Sequence, residues 1–122
     1  MPRPSDEELI RRAYAAFNAR DIGAALALLH PDVEWPNGME GGIERGRDAV
    51  RAYWTRQWRQ VDPRVDPIAI MRAQDGRSVV QVHQVVRDLA GTVLLERMIE
   101  HIYELAGGLI MRMEIREPPA RG

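Results

Sequence analysis

Apolar residues recur at helical spacing near the start of the chain. Leu9, Ile10, Ala13, Ala16 and Phe17 stand three and four apart, which predicts an amphipathic helix over residues 5–19. Ser5, with Glu8 three residues on, supplies a capping box at its start. Asp21 is placed to cap a second, short helix. Ile22, Ala25, Leu26 and Leu29 form its apolar side, and Pro31 is expected to end it. A short strand follows at Val33-Glu34-Trp35 and runs into a Pro36-Asn37-Gly38 turn. The segment to Gly46 is charged and Gly-rich, hence an exposed loop with a short strand near Ile43. Asp48 to Gln60 predicts a third helix, its inward side marked by Val50, Tyr53, Trp54, Gln57, Trp58 and Val61.

From there the period changes to that of strands. Val65–Ala73, Ser78–Arg87, Val93–Glu104 and Leu109–Arg116 are expected strands, with Asp75-Gly76 a two-residue hairpin signal between the first two. Helices followed by hairpin-linked strands indicate an α+β fold with a mainly antiparallel sheet.

Turn chemistry predicts which side chains share a face. Asp88-Leu89-Ala90-Gly91-Thr92 suits a three-residue loop with Gly91 left-handed. That loop pairs Asp88 with Thr92, Val85 with Leu95, His83 with Arg97 and Gln81 with Ile99. A similar loop at Ala106-Gly107-Gly108 pairs Leu105 with Leu109, Tyr103 with Met111 and His101 with Met113. Alternation then gathers Gln81, His83, Arg97, Ile99, His101 and Tyr103 on one face, with Val85, Leu95, Leu105, Met111, Met113 and Ile115. The opposite face receives Val80, Val82, Val86, Met98 and Ile102, interleaved with Gln84, Glu96, Glu100, Glu104, Arg112 and Glu114. The five apolar members make a patch large enough to suggest a homodimer through the outer face of the sheet.

Length and composition narrow the rest. The 122 residues fit a single domain, 1–122, with a core over about 5–117. The fold is expected to close at Pro118-Pro119, leaving 118–122 as a disordered tail. A formal net charge of -1 suggests neither nucleic acid nor an anionic membrane as partner. The sequence shows no apolar run of transmembrane length and no signal-peptide core at its start. Cysteine is absent, which excludes thiolate chemistry and fits a reducing cytoplasm. All 17 basic residues are Arg, so lysine Schiff bases and a phosphate-loop lysine are excluded as well. No spacing of His, Asp or Glu suggests a metal site, and no cofactor is expected.

The chemistry that remains centres on the expected inner face. His101 and His83 are candidate general bases, or else hydrogen-bonded wall residues. Arg97 is a candidate anchor for a carboxylate or enolate oxygen, or else an internal partner of Glu34 or Glu40. Trp35, Trp54 and Trp58 are candidates for stacking on a planar ligand, or else core. Tyr53, Gln81, Ile99, Tyr103, Met111 and Met113 complete the candidate ligand-binding set drawn from the residues.

Several stretches carry a family resemblance. They are Asn18-Ala19-Arg20-Asp21-Ile22-Gly23, Leu29-His30-Pro31-Asp32-Val33-Glu34-Trp35, Gly46-Arg47-Asp48-Ala49-Val50 and Gly107-Gly108-Leu109-Ile110. In this order the chain resembles the nuclear transport factor 2-like superfamily, in its bacterial SnoaL-like (polyketide cyclase-like) branch. The resemblance implies a cone: three helices across the concave face of a strongly curved sheet, enclosing a pocket. It specifies chemistry poorly, because isomerases, cyclases, hydrolases and non-catalytic binders share the fold. Set beside the ketosteroid isomerases, Pro36-Asn37-Gly38 matches the turn that follows their catalytic carboxylate, but Trp35 stands in the carboxylate's place. Tyr14 lies one position from their oxyanion-hole tyrosine, where Ala13 is found, and on that resemblance joins the candidate ligand-binding set; His101 falls where their second donor stands. The His/Asp pair of related cyclases lacks an inward Asp here, and the Asp-Arg-Asp set of epoxide hydrolases is represented by Arg97 alone.

The expected function is a cofactor-independent enzyme acting by acid–base catalysis on a small apolar or aromatic molecule. His101 or His83 would be the base, with Arg97, Gln81 or Tyr103 as donors. A non-catalytic small-molecule binder and a structural or interaction domain with a filled cone are the alternatives.

Overall fold

A computed structural model describes residues 5–117; the expected disordered tail, 118–122, lies outside them. The elements are α1 (Asp6–Asn18), α2 (Ile22–Ala27), β1 (Leu29–Pro36), β2 (Ile43–Arg45), α3 (Arg47–Gln60), β3 (Asp62–Arg72), β4 (Ser78–Arg87), β5 (Val93–Ala106) and β6 (Leu109–Arg116). The six strands form one curved, unclosed sheet in the order β2-β1-β6-β5-β4-β3. Its pairings are antiparallel except for β1 beside β6. The fold is therefore the α+β type expected, with three helices packed on the concave face. Among the described residues no helix is long and apolar enough to cross a membrane.

Local chemistry accounts for the helix ends. Glu8 donates its backbone N–H to Ser5 Oγ at 3.1 Å, and Ala24 does the same to Asp21 Oδ1 at 3.2 Å. Such caps contribute about 1 kcal/mol each. Gly46 opens α3 with φ 86°, a conformation that favours glycine. Beside it, Arg47 donates Nε and Nη2 to the Leu29 carbonyl at 2.8 and 2.6 Å. The Gly46-Arg47 pair thus ties the start of α3 to the start of β1.

The edge strand β3 is blunted from the helical side. Asn18, at the end of α1, donates Nδ2 to Val65 O and accepts from Val65 N, at 2.7 and 3.0 Å. A side-chain amide takes the place of a neighbouring strand there. The core between sheet and helices is anchored by Ile10, Leu29, Val33, Val50, Val80 and Val82, all at 0–1% exposure.

Four local expectations are corrected. Pro31 does not end α2, which stops at Ala27; it lies inside β1, which begins at Leu29. Proline is tolerated where the ladder is irregular, and the β1–β6 register shifts between Leu29 and Glu34. At Asp75-Gly76 the hairpin has three loop residues, since Ala73 N bonds Arg77 O at 2.8 Å, with Gly76 at φ 89°. At the end of β5 the turn contains Gly107 and Gly108 alone, both at positive φ, and pairs Ala106 with Leu109. A register shift between Glu104 and Leu105 then pairs Tyr103 with Met113 and His101 with Ile115. The odd-numbered residues over that stretch still share a face, so His101, Tyr103 and Met113 fall together.

The fourth correction matters most. The Asp88–Thr92 loop forms as expected, with Asp88 N bonded to Thr92 O at 2.8 Å and Arg87 opposite Val93. A bulge follows at once: Val86 pairs with Leu95, leaving Leu94 as an extra residue in β5. One extra residue reverses the faces of everything beyond it. Gln84 therefore pairs with Arg97, Val82 with Ile99 and Val80 with His101. On β4 the even-numbered residues face the helices. His83, Gln81 and Val85 point out of the convex side, while Val80, Val82 and Val86, expected outside, point in.

Candidate functional site

A cavity of about 250 Å³ lies between α1, α3 and the concave face of the sheet. Phe17, Trp35, Trp54, Val65, Val86 and Met113 supply much of its apolar wall. Its polar groups are few: Tyr14, Tyr53, Gln57, Gln84, Arg97, His101 and Tyr103. No Asp or Glu lines it among the described residues.

The centre of the polar group is Tyr14 on α1 and His101 on β5. Their Oη and Nδ1 atoms are 2.7 Å apart, and the rings lie nearly parallel at 5.8 Å between centroids. Tyr103 stands edge-on to both rings. All three residues are at most 5% exposed. Burial first, and the positive charge of Arg97 second, together hold the His101 imidazole at about 3. Burial also raises Tyr14, helped by the neighbouring Tyr103 hydroxyl, and burial raises Tyr103. At neutral pH the imidazole is uncharged and both phenols keep their protons. The cluster is a neutral set of hydrogen-bonding groups.

A second polar site stands at the cavity rim. Tyr53, on α3, accepts the Gly38 N–H at 3.2 Å, and burial raises its hydroxyl. Asn37 is buried in this loop. It accepts from Met39 N and Glu40 N and donates to Glu40 and Glu44, so the Pro36-Asn37-Gly38 turn is held as a rigid lip. Further along β5, Arg97 donates Nε to Gln84 Oε1 at 2.8 Å and Nη1 to Glu117 Oε1 at 3.2 Å. Its partners are neither Glu34 nor Glu40.

Of the residues singled out from the sequence, His101, Arg97, Trp35, Tyr14, Tyr53, Trp54, Tyr103 and Met113 line this one cavity. The others do not. His83 lies on the convex face, its Nε2 2.7 Å from Glu96 Oε2, and Gln81 is exposed on the same face. Ile99 faces the helices at 1% exposure but is core. Met111 lies next to the β5–β6 register shift and outside the wall. Trp58 packs on Trp54 and Phe17, with the Arg20 guanidinium 5.1 Å from its ring centroid, and is an outer layer of the aromatic core. Gln84, expected on the convex face, lines the cavity and holds Arg97. The bulge at Leu94 turns it inward, and no turn residue in the sequence announces that bulge.

Comparison with known proteins agrees with this architecture. The model of the SnoaL-like domain matches residues 10–113. No curated protein has a significantly similar sequence. Among solved structures, TerC co-crystallised with polyporic acid is 30% identical, with TM-score 0.79 over 92% of this chain and 90% of its own. An NTF2-like protein of unknown function from Burkholderia pseudomallei is 27% identical, with TM-score 0.78 over 92% and 89%. A candidate polyketide cyclase from Pseudomonas putida is 26% identical, with TM-score 0.78 over 91% and 90%. With most of its length matched to that domain model, the chain belongs to the SnoaL-like family, within the nuclear transport factor 2-like superfamily.

Proposed function

We propose that this SnoaL-like domain takes a small, mainly apolar or aromatic molecule into the cone and holds one of its oxygen atoms on Tyr14, His101 and Tyr103. The observation that carries the reading is the buried Tyr14–His101 pair set in an otherwise apolar cavity wall. Convergent polar groups in an apolar cleft are the usual form of a small-ligand site. Protonated phenols and a neutral imidazole suit an electron-rich oxygen, such as a carbonyl or enolate, better than they suit a cation. The co-crystallisation of TerC with polyporic acid supports an organic ligand in a relative of the same fold.

An acid–base enzyme using this site is the second reading. The Tyr14–His101 hydrogen bond favours it, because it holds the neutral ring and the phenol in place to polarise a bound oxygen. An imidazole held at about 3 is a weak base at neutral pH, so His101 acts in this reading by donating and polarising. Catalysis would need no cofactor. A thermal-shift screen of aromatic and enolisable compounds, followed by mass analysis of each hit, separates the readings. Stabilisation without conversion supports the binder, and conversion supports the enzyme. Val86→Trp, which fills the cavity, should abolish the shifts; unchanged shifts would place the ligand elsewhere.

A homodimer through the convex face belongs to the same proposal. The three helices leave that face uncovered, and it exposes Met71 and Met98 at 51% and 44%. Ile102, by contrast, is 4% exposed within the single chain, so Met98→Glu is the sharper disruption. Light scattering near the 13.9 kDa of one chain would refute the dimer.

A further inference from the structure

The cavity has a charge of one sign. Arg97 is its only permanently ionised lining residue among the described residues, and the buried imidazole and phenols add none. An apolar cleft with a guanidinium at one end and neutral donors at the other suits an amphipathic anion. Arg97 and His101 lie four residues apart on one face of β5, about 13 Å along a strand. Both side chains line the one cavity, so the two groups can address different ends of a single small aromatic molecule that carries polar groups at both ends.

The guanidinium already holds a carboxylate. Glu117, just past the end of β6, reaches back to Arg97 Nη1 at 3.2 Å, with its own side chain 79% exposed. A bridge so exposed contributes little to folding. Gln84 meanwhile fixes the guanidinium from the inner side through Nε, leaving its orientation set when Glu117 departs. Leu95 and Ile115 shield the region with apolar surface.

We propose that the ligand is an aromatic carboxylic acid bound as its anion, the carboxylate on Arg97 in place of Glu117 and the distal oxygen on the Tyr14–His101–Tyr103 cluster. This rests on the cavity being the ligand site, as proposed above. Glu117 is then an internal counter-ion that competes with the ligand. Arg97 sets specificity for charge, and the buried cluster sets specificity for the far end.

Titration calorimetry with 6-hydroxy-2-naphthoate and its uncharged carboxamide tests this. The acid should bind the wild type more tightly than the amide. Arg97→Gln should weaken the acid about tenfold or more and leave the amide within about twofold, because only the acid loses a charge-assisted bond. Glu117→Gln should tighten the acid by removing its competitor and leave the amide unchanged. Both positions are exposed, and circular dichroism verifies that the variants fold. Equal affinity for acid and amide, unmoved by Arg97→Gln, overturns the inference while the cavity reading stands. Binding of neither compound overturns both.

Discussion

His83 on β4 and His101 on β5 lie on adjacent strands, yet one bonds Glu96 at the surface and the other bonds Tyr14 inside the cone. From sequence they were equivalent candidates for the same role. The extra residue at Leu94 separates them, because it reverses which side of β4 faces the helices without altering the turn that precedes it. The faces themselves differ as sharply. The concave side pairs apolar residues with a few buried donors. The convex side is a lattice of charges: Arg116 with Glu100, Arg112 and Arg77 with Glu114, and His83 with Glu96. A polar residue therefore acquires its meaning from the face it occupies, and one bulge assigns the face.

Adjacent valines offer the strongest test of that division. Val80 is fully buried facing the helices, whereas Val79 points the other way. Val80→Asp should cost about 3–5 kcal/mol in urea unfolding, since it buries an unpaired carboxylate, and Val79→Asp below about 1 kcal/mol. Reversed magnitudes would restore the register without the bulge.

Acid sensitivity sharpens the contrast at His101 itself. Its folded value of about 3 lies below the unfolded value of about 6.5, so the unfolded chain binds the proton first as pH falls. Stability from this residue is intact above pH ~6.5 and declines below it, by at most about 1.4 kcal/mol per pH unit down to the folded value. A His101→Gln variant lacks this component. Unfolding curves between pH ~6.5 and ~5 should fall more steeply for the wild type; parallel curves would mean that His101 is not buried as described.

The smallest effect distinguishes the partners of the two histidines. Tyr14→Phe leaves the buried Nδ1 of His101 without its 2.7 Å partner. It should cost about 1–2 kcal/mol, against less than about 0.5 kcal/mol for His83→Ala at the surface. Equal costs would deny the buried bond its role.

The periodicity and the caps were enough to determine the helices, the strand order along the chain and the α+β class. Ser5, Asp21 and the apolar spacing of α1 act within a turn or two of themselves, and such local preferences are legible in one dimension. Part of the candidate site was legible for the same reason. Tyr53 and Trp54 sit on a helix whose inward face follows from spacing, and the odd residues of β5 keep their side because the two-residue turn and the one-residue shift at Glu104 together restore the odd-to-odd pairing with β6. Tyr14 enters through the family resemblance, and Trp35 as an aromatic side chain on the expected first strand. The tertiary structure decided the rest. Whether β4 shows Gln84 or His83 to the cavity depends on a bulge stabilised by pairing across strands, and side-chain period two turns that single residue into a complete exchange of faces. The pairing of Tyr14 with His101, 87 positions apart, likewise exists only once the helix lies across the sheet. That burial, which no local pattern encodes, makes the imidazole a neutral hydrogen-bonding group.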